Sequence, residues 1–139
     1  MTRAVTEAME ANEEGGAVVN VASTAAVTGI GSSVAYAASK GAMVTMTLSL
    51  ARALGPKLRI NAVCPGFIEG EWLREGLGEE QYEALMHANR SGAPLGVTAT
   101  PEPVADAIVH FVTGPRVVTG ETLIVYGGRH LMTTPLARR

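Results

Sequence analysis

The chain has 139 residues, 47% of them apolar and 17% charged, and a formal net charge of −2. That length suggests one domain, and the apolar share is enough for a packed core rather than disorder. The weak negative charge gives no reason to expect nucleic acid or an anionic membrane as a partner, and the one cysteine, Cys64, leaves no intrachain disulfide and no thiolate cluster for a metal.

His87, His110 and His130 are scattered without metal-ligand spacing, so no metal site is expected. The first ten residues carry acidic side chains early, which does not suit a signal or transit peptide. No uninterrupted apolar run is long enough for a bilayer. These features lead to the expectation of a soluble, reduced, cytoplasmic protein. Asn89-Arg90-Ser91 matches a glycosylation acceptor pattern, but it carries no meaning without secretion.

The first helix is predicted over residues 2–13, with Val5, Ala8, Met9 and Asn12 on one stripe and Gly15-Gly16 as its stop. Ala17 to Ala22 then reads as a short strand, apolar almost throughout, as suits a parallel strand buried on both faces. Thr24 to Val34 is small and polar and reads as a loop. Its Gly29 and Gly31 do not make a dinucleotide fingerprint, because the preceding strand, the third small residue and the later acid are missing. A long helix is predicted over Tyr36 to Leu54, with an apolar stripe of Ala35, Ala38, Ala42, Met46, Leu50 and Leu54. Gly55-Pro56 ends it, Leu58 to Val63 forms the second strand, and Cys64-Pro65-Gly66 turns the chain.

Two small helices follow, Glu69 to Gly78 and Glu79 to Arg90. Their Trp72, Leu73, Tyr82 and Met86 line a pocket on one reading and belong to the core on the other. Thr100-Pro101-Glu102-Pro103 carries the marks of a helix start: a cap residue, proline in the first turn and an early acid. Val104, Ala107, Ile108, Phe111 and Val112 give that helix its buried stripe, and Gly114-Pro115 stops it. Glu121 to Tyr126 is the third strand, closed by Gly127-Gly128, and the tail to Arg139 is expected to be disordered. The alternation of helix and strand argues an α/β fold with parallel strands.

Chemistry concentrates in residues 20–40. Ser23 ends the first strand pattern, where a hydroxyl can project into a cleft. Tyr36 and Lys40 are four apart, on one face of their helix. An ammonium beside a phenol stabilises the phenolate, which makes a tunable general acid/base. Taken alone, the pair also reads as an ordinary surface pair, and Ser23 as a hydroxyl that caps a loop.

The order Ser23, Tyr36-x-x-x-Lys40 and Asn61-Ala-Val-Cys-Pro-Gly66 resembles the short-chain dehydrogenase/reductase family, over Met1 to about Leu131. The resemblance implies the C-terminal part of a Rossmann-like, doubly wound parallel sheet, about three strands with flanking helices. Residues 1–139 would be a single partial domain without the N-terminal dinucleotide-binding half. It implies Tyr36 as general acid/base and Lys40 as the residue that tunes it and holds the nicotinamide ribose. Ser23 would orient the substrate oxygen, and Pro65, Gly66 and Ile68 would form the loop packed on the nicotinamide. The family's usual catalytic Asn falls before Met1, and its Thr after Ile68 is replaced by Gly70. Asn61 would tie neighbouring backbone together. Cys64 is expected to be a small packed residue rather than a nucleophile. Where the family often has Asp before the terminal Gly-Gly, this chain has Tyr126.

The implied reaction interconverts an alcohol and a carbonyl with NAD or NADP, on a small-molecule substrate. The pyrophosphate-binding motif is absent. An alternative is a catalytically inactive fragment that serves as a structural or oligomerisation piece, with the helices at 2–13 and 34–54 packing across subunits of a homo-oligomer. A further alternative is a truncated gene model or a proteolytic piece of a longer enzyme.

Overall fold

The computed structural model describes residues 2–131, so the expectation for the tail lies outside the described residues. The elements in order are α1 (Thr2–Glu10), β1 (Gly16–Val21), α2 (Ala25–Thr28), α3 (Val34–Leu54), β2 (Leu58–Pro65), α4 (Glu71–Leu77), α5 (Glu79–Ser91), α6 (Pro101–Thr113) and β3 (Thr122–Val125), followed by a 3-10 turn at Arg129–Leu131. The three strands form one parallel sheet in the order β1-β2-β3. Gly16 stands opposite Leu58 and Val21 opposite Val63, while Ala62 stands opposite Thr122 and Pro65 opposite Val125.

The alternation of side chains along β2 divides the core between the two sheet faces. Leu58 and Ile60 pack with Ala51 of α3, joined by Met9, Val18, Leu50 and Leu54. Val63 packs on the other side with Val104 and Phe111 of α6, joined by Val19, Ile68, Ala107, Ile108 and Val125. β2 is buried along nearly its whole length, whereas β1, the strand expected from its apolar run to be buried on both faces, is not. β1 is only half-buried, with Val21 45% exposed, because among the described residues it pairs on one side alone.

Three local expectations need correction. The loop predicted over residues 24–34 contains the one-turn helix α2. Ser23 Oγ accepts the Ala25 N–H at 3.2 Å, and Gly29 closes the turn with its N–H on the Ala25 carbonyl. In α3 only the C-terminal part of the predicted stripe turns inward: Leu50 and Leu54 pack against the core, whereas Ala35, Ala38, Ala42 and Met46 are exposed and Thr47 and Ala51 are buried. The helix is rich in small and apolar residues and carries only two charges, Lys40 and Arg52, so no charged face marks the solvent side. Thr47 is tolerated inside because its hydroxyl donates to the Met43 carbonyl and accepts from Asn20 Nδ2, both at 2.9 Å. Thr100 occupies the cap position of α6, but its side chain makes no capping bond to the helix backbone.

Two polar side chains of β2 tie the second crossover together. Arg59 donates to the Phe111 and Val112 carbonyls at 2.8 and 2.9 Å, a cation on the C-terminal end of α6. Asn61, fully buried, donates to the Val118 carbonyl at 3.2 Å and accepts the Glu121 N–H at 3.0 Å. It thereby clamps the turn that leads into β3, the backbone-tying role expected of it.

Candidate active site

The residues singled out from the sequence gather at the C-terminal ends of the strands. Ser23 lies two residues beyond β1, Pro65 and Gly66 end β2, and Tyr126 follows β3. The Thr24 N–H donates to the Pro65 carbonyl at 2.9 Å, and the Gly66 N–H to the Val125 carbonyl at 3.1 Å, so the three strand ends are stitched side by side.

Tyr36 and Lys40 occupy the first turns of α3. Ser33 caps this helix, its hydroxyl accepting the Tyr36 N–H at 3.1 Å. The Lys40 ammonium lies 5.8 Å from the centroid of the Tyr36 ring and donates to the Val21 carbonyl at 3.1 Å. That bond fixes the cation at the end of β1, close to Ser23 in the chain. Tyr36 is 36% exposed, so its ring faces open space rather than core. A side chain at Gly31 would come within 3.0 Å of both the Tyr36 ring and the Ala25 Cβ, so the glycine lets the loop after α2 lie against the ring.

Cys64 lies beneath this group, with no exposed surface. Burial pushes its thiol above the ordinary value, against the opposing pull of the Ser23 N–H that it accepts and the nearby Lys40 charge. It is a packed residue in contact with the site's scaffold, as expected, rather than an accessible nucleophile.

Ile68 stands on the other side of the Pro65–Gly66 turn, bridged to Ala99. The Glu69 N–H donates to the Ala99 carbonyl at 2.9 Å, and the Glu69 carboxylate accepts from Arg90 at 2.9 Å and from the Thr98 hydroxyl. These contacts close the base of an excursion that carries α4 and α5. The Thr98 hydroxyl, followed by the Arg90 guanidinium, holds the Glu69 carboxyl below its ordinary value. Of the four residues with two readings, Tyr82 and Met86 are core, Trp72 is 84% exposed and Leu73 is half-buried.

Sequence reasoning missed Asn89 and the role of Tyr126. The Tyr126 hydroxyl donates to Asn89 Oδ1 at 2.7 Å, and the Tyr126 ring lies directly on Gly66. The two residues are 37 apart. The one available signal was a polar Asn at a helical core position, where Asn is a poor helix former.

A cleft of about 350 Å³ lies at the opposite end of the strands, lined by Gly15, Gly16, Lys57, Arg59 and Arg116 among others. Its Arg59 is committed to backbone carbonyls and its Arg116 is paired with Glu14, so it offers no grouping for chemistry. Among the described residues no group of three His, Cys, Asp or Glu side chains could hold a metal ion, and no helix is long and apolar enough to cross a membrane. Gly29 and Gly31 follow a helical turn rather than a strand, so that loop lacks the strand–turn–helix shape that presents amides to a pyrophosphate. Among the described residues this loop therefore offers no cradle for a diphosphate.

A family model described as Enoyl-(Acyl carrier protein) reductase matches residues 1–130. The chain belongs to the short-chain dehydrogenase/reductase family, and its open parallel sheet is the Rossmann-like sheet of that family. It is 37% identical over 120 residues to the 3-oxoacyl-(acyl-carrier-protein) reductase of Mus musculus, covering 86% of this chain and 47% of that protein. It is 35% identical over 129 residues to the short-chain dehydrogenase/reductase homolog YusR of Bacillus subtilis (strain 168), covering 93% of this chain and 94% of that protein. Among solved structures, ElxO with NADP bound superposes with a TM-score of 0.79 at 27% identity, over 92% of this chain and 51% of that one. Apart from YusR, the chain spans about half the length of the curated relatives it matches.

Proposed function

We propose that this chain is a single partial domain supplying the catalytic half of an NAD(P)-dependent oxidoreductase that interconverts an alcohol and a carbonyl. The observation that carries the reading is the convergence of Tyr36, Lys40 and Ser23 with the Pro65–Gly66 turn at the carboxyl end of a parallel sheet. Ligands of open α/β sheets bind at that end.

Tyr36 acts as the general acid/base, giving a proton to a carbonyl oxygen or taking one from an alcohol. Lys40, anchored on the Val21 carbonyl, places positive charge where negative charge develops on the phenol oxygen. Ser23 orients the substrate: its oxygen already accepts the Ala25 N–H, which leaves its own O–H to point at the substrate oxygen. The nicotinamide supplies or accepts the hydride when bound. Pro65, Gly66 and Ile68 would face it, and Lys40 and Tyr36 would hold its ribose. The diphosphate and adenosine would need residues outside this chain. A small-molecule alcohol or carbonyl as partner and a cytoplasmic setting belong to this reading.

A second reading is that the chain is inactive by itself and serves in assembly. It is favoured by the half-exposed apolar strand β1 and by Val34, Met46 and Leu48, all exposed on α3. On this reading α1 and α3 pack against a second copy of the chain. A monodisperse monomer in light scattering would count against it.

Calorimetric titration of the 139-residue chain with NADH and NADPH separates the two readings. Binding favours the oxidoreductase, and Tyr36→Phe is then expected to lower turnover by about 10²- to 10⁴-fold with binding retained. Turnover that survives the substitution refutes the role given to Tyr36. No binding from a folded sample leaves Ser23, Tyr36 and Lys40 without a hydride donor in this chain, and the oxidoreductase reading then applies only to a longer protein.

A further inference from the structure

Tyr126 touches both the Pro65–Gly66 turn and α5, two parts also joined by the Phe67–Tyr82 ring contact, 6.3 Å between centroids. Its ring covers Gly66 so closely that a Cβ there would meet three ring carbons at 2.1 to 2.4 Å. Its hydroxyl reaches Asn89 on α5 at 2.7 Å. Asn89 is 8% exposed, and its amide group donates to the Leu85 carbonyl one turn back at 2.8 Å. Both polar ends of the buried Asn are therefore used, one on its own helix and one on Tyr126.

The surroundings make this pair a polar join between an excursion from the sheet and the turn. Residues 70–98, which carry α4 and α5, leave the sheet after Ile68 and return at Ala99, clasped at the base by the Ile68–Ala99 bridge and the Glu69–Arg90 ion pair. Neither clasp reaches the Pro65–Gly66 turn itself. The Tyr126–Asn89 bond does, through a ring that rests on Gly66. Backbone contacts after β3 reinforce it, since the Leu95 N–H donates to the Gly127 carbonyl at 3.1 Å.

We propose that Tyr126 and Asn89 are a positioning pair that makes α5 and the Pro65–Gly66 turn open and close as one unit. The consequence for chemistry rests on the reading above, in which the turn faces the nicotinamide and the excursion borders the substrate. Under that reading the pair keeps the wall of the cleft in register with the cofactor-facing turn. The mechanical coupling stands independently of it.

Hydrogen–deuterium exchange of the full chain, followed segment by segment, tests the pair without cofactor or substrate. Tyr126→Phe keeps the ring over Gly66 and removes only the hydroxyl. It is expected to raise exchange about fivefold to tenfold in residues 64–67 and 82–92 together, with residues 16–21 and 58–62 unchanged. Asn89→Leu gives the same two-segment change, and the double variant adds nothing further. The proposal is overturned by a rise confined to α5, by no rise in Tyr126→Phe, or by additive effects in the double variant. Should Asn89→Leu loosen the whole sheet, Tyr126→Phe alone decides. Failure of the oxidoreductase reading would leave all these outcomes unchanged.

Discussion

Replacing Asn61 by Ala tests how β2 fixes the strand that precedes the site. Asn61 is fully buried and makes two bonds, from Nδ2 to the Val118 carbonyl and from the Glu121 N–H to Oδ1. Truncation affects these two backbone groups unequally. The Val118 carbonyl keeps a partner in Arg59, at 3.4 Å. The Glu121 N–H loses the acceptor it has, at a cost of about 1–3 kcal/mol. The space left by the side chain adds about 1 kcal/mol. Together the loss is about 2–4 kcal/mol, a large share of the 5–15 kcal/mol typical of a whole domain. Urea unfolding followed by far-ultraviolet circular dichroism measures it. With a slope of about 2 kcal/mol per molar, the midpoint is expected to fall by about 1–2 M. A fall of less than about 0.3 M at unchanged slope would refute the claim that Asn61 is the clamp on the turn into β3.

Three further perturbations address the site. The Cys64 thiol, buried and raised above its ordinary value by that burial, is expected to react with a disulfide reagent at least about 100-fold more slowly in the folded chain than in denaturant; equal rates would contradict its place in β2. The Glu69 carboxyl lies below its ordinary value of 4.5 in the fold, so its contribution to stability is present above pH 4.5 and lost as pH falls through the folded value. Thermal melts taken from neutral pH into acid should therefore show the unsubstituted chain losing its advantage over Glu69→Gln in that window, and a constant difference would refute the assignment. Gly66→Ala places a methyl group inside the Tyr126 ring and is expected to destabilise by about 1–3 kcal/mol. Combining it with Tyr126→Ser should cost less than the sum of the two single changes in the same melts, and strict additivity would show that the ring is not the obstacle.

Much of this protein was readable where the determining interactions are local. Pro101 and Glu102 mark the start of α6 because a missing N–H and an early acid suit a helix N-terminus whatever surrounds it. The apolar run from Ala17 to Ala22 announced the parallel strand β1, because such a run suits an extended segment inside a parallel sheet. Tyr36 and Lys40 could be placed on one helical face from their spacing alone, and the structure puts the ammonium 5.8 Å from the ring centroid. The one-turn helix α2 was missed although its signals, a Ser hydroxyl before Ala-Ala and a glycine after it, are equally local.

The remainder depended on which elements meet. The face of α3 that turns inward could not be read from a helix of small residues, because every face satisfies the same pattern; contact with Leu58 and Ile60 selects Ala51. Arg59 reads in sequence as a charge interrupting a strand, and only the arrival of α6 beside it turns that charge into a cap for the Phe111 and Val112 carbonyls. The Tyr126–Asn89 bond joins positions with no periodic relation, so no pattern along the chain could have announced it. The sequence by itself determined most of the elements, since these follow from near-neighbour sterics and hydrogen bonding, whereas the residues of the candidate site came from its resemblance to a family. Tertiary structure decided which faces are buried and which polar groups are paired, since those depend on residues brought together by the crossovers between parallel strands.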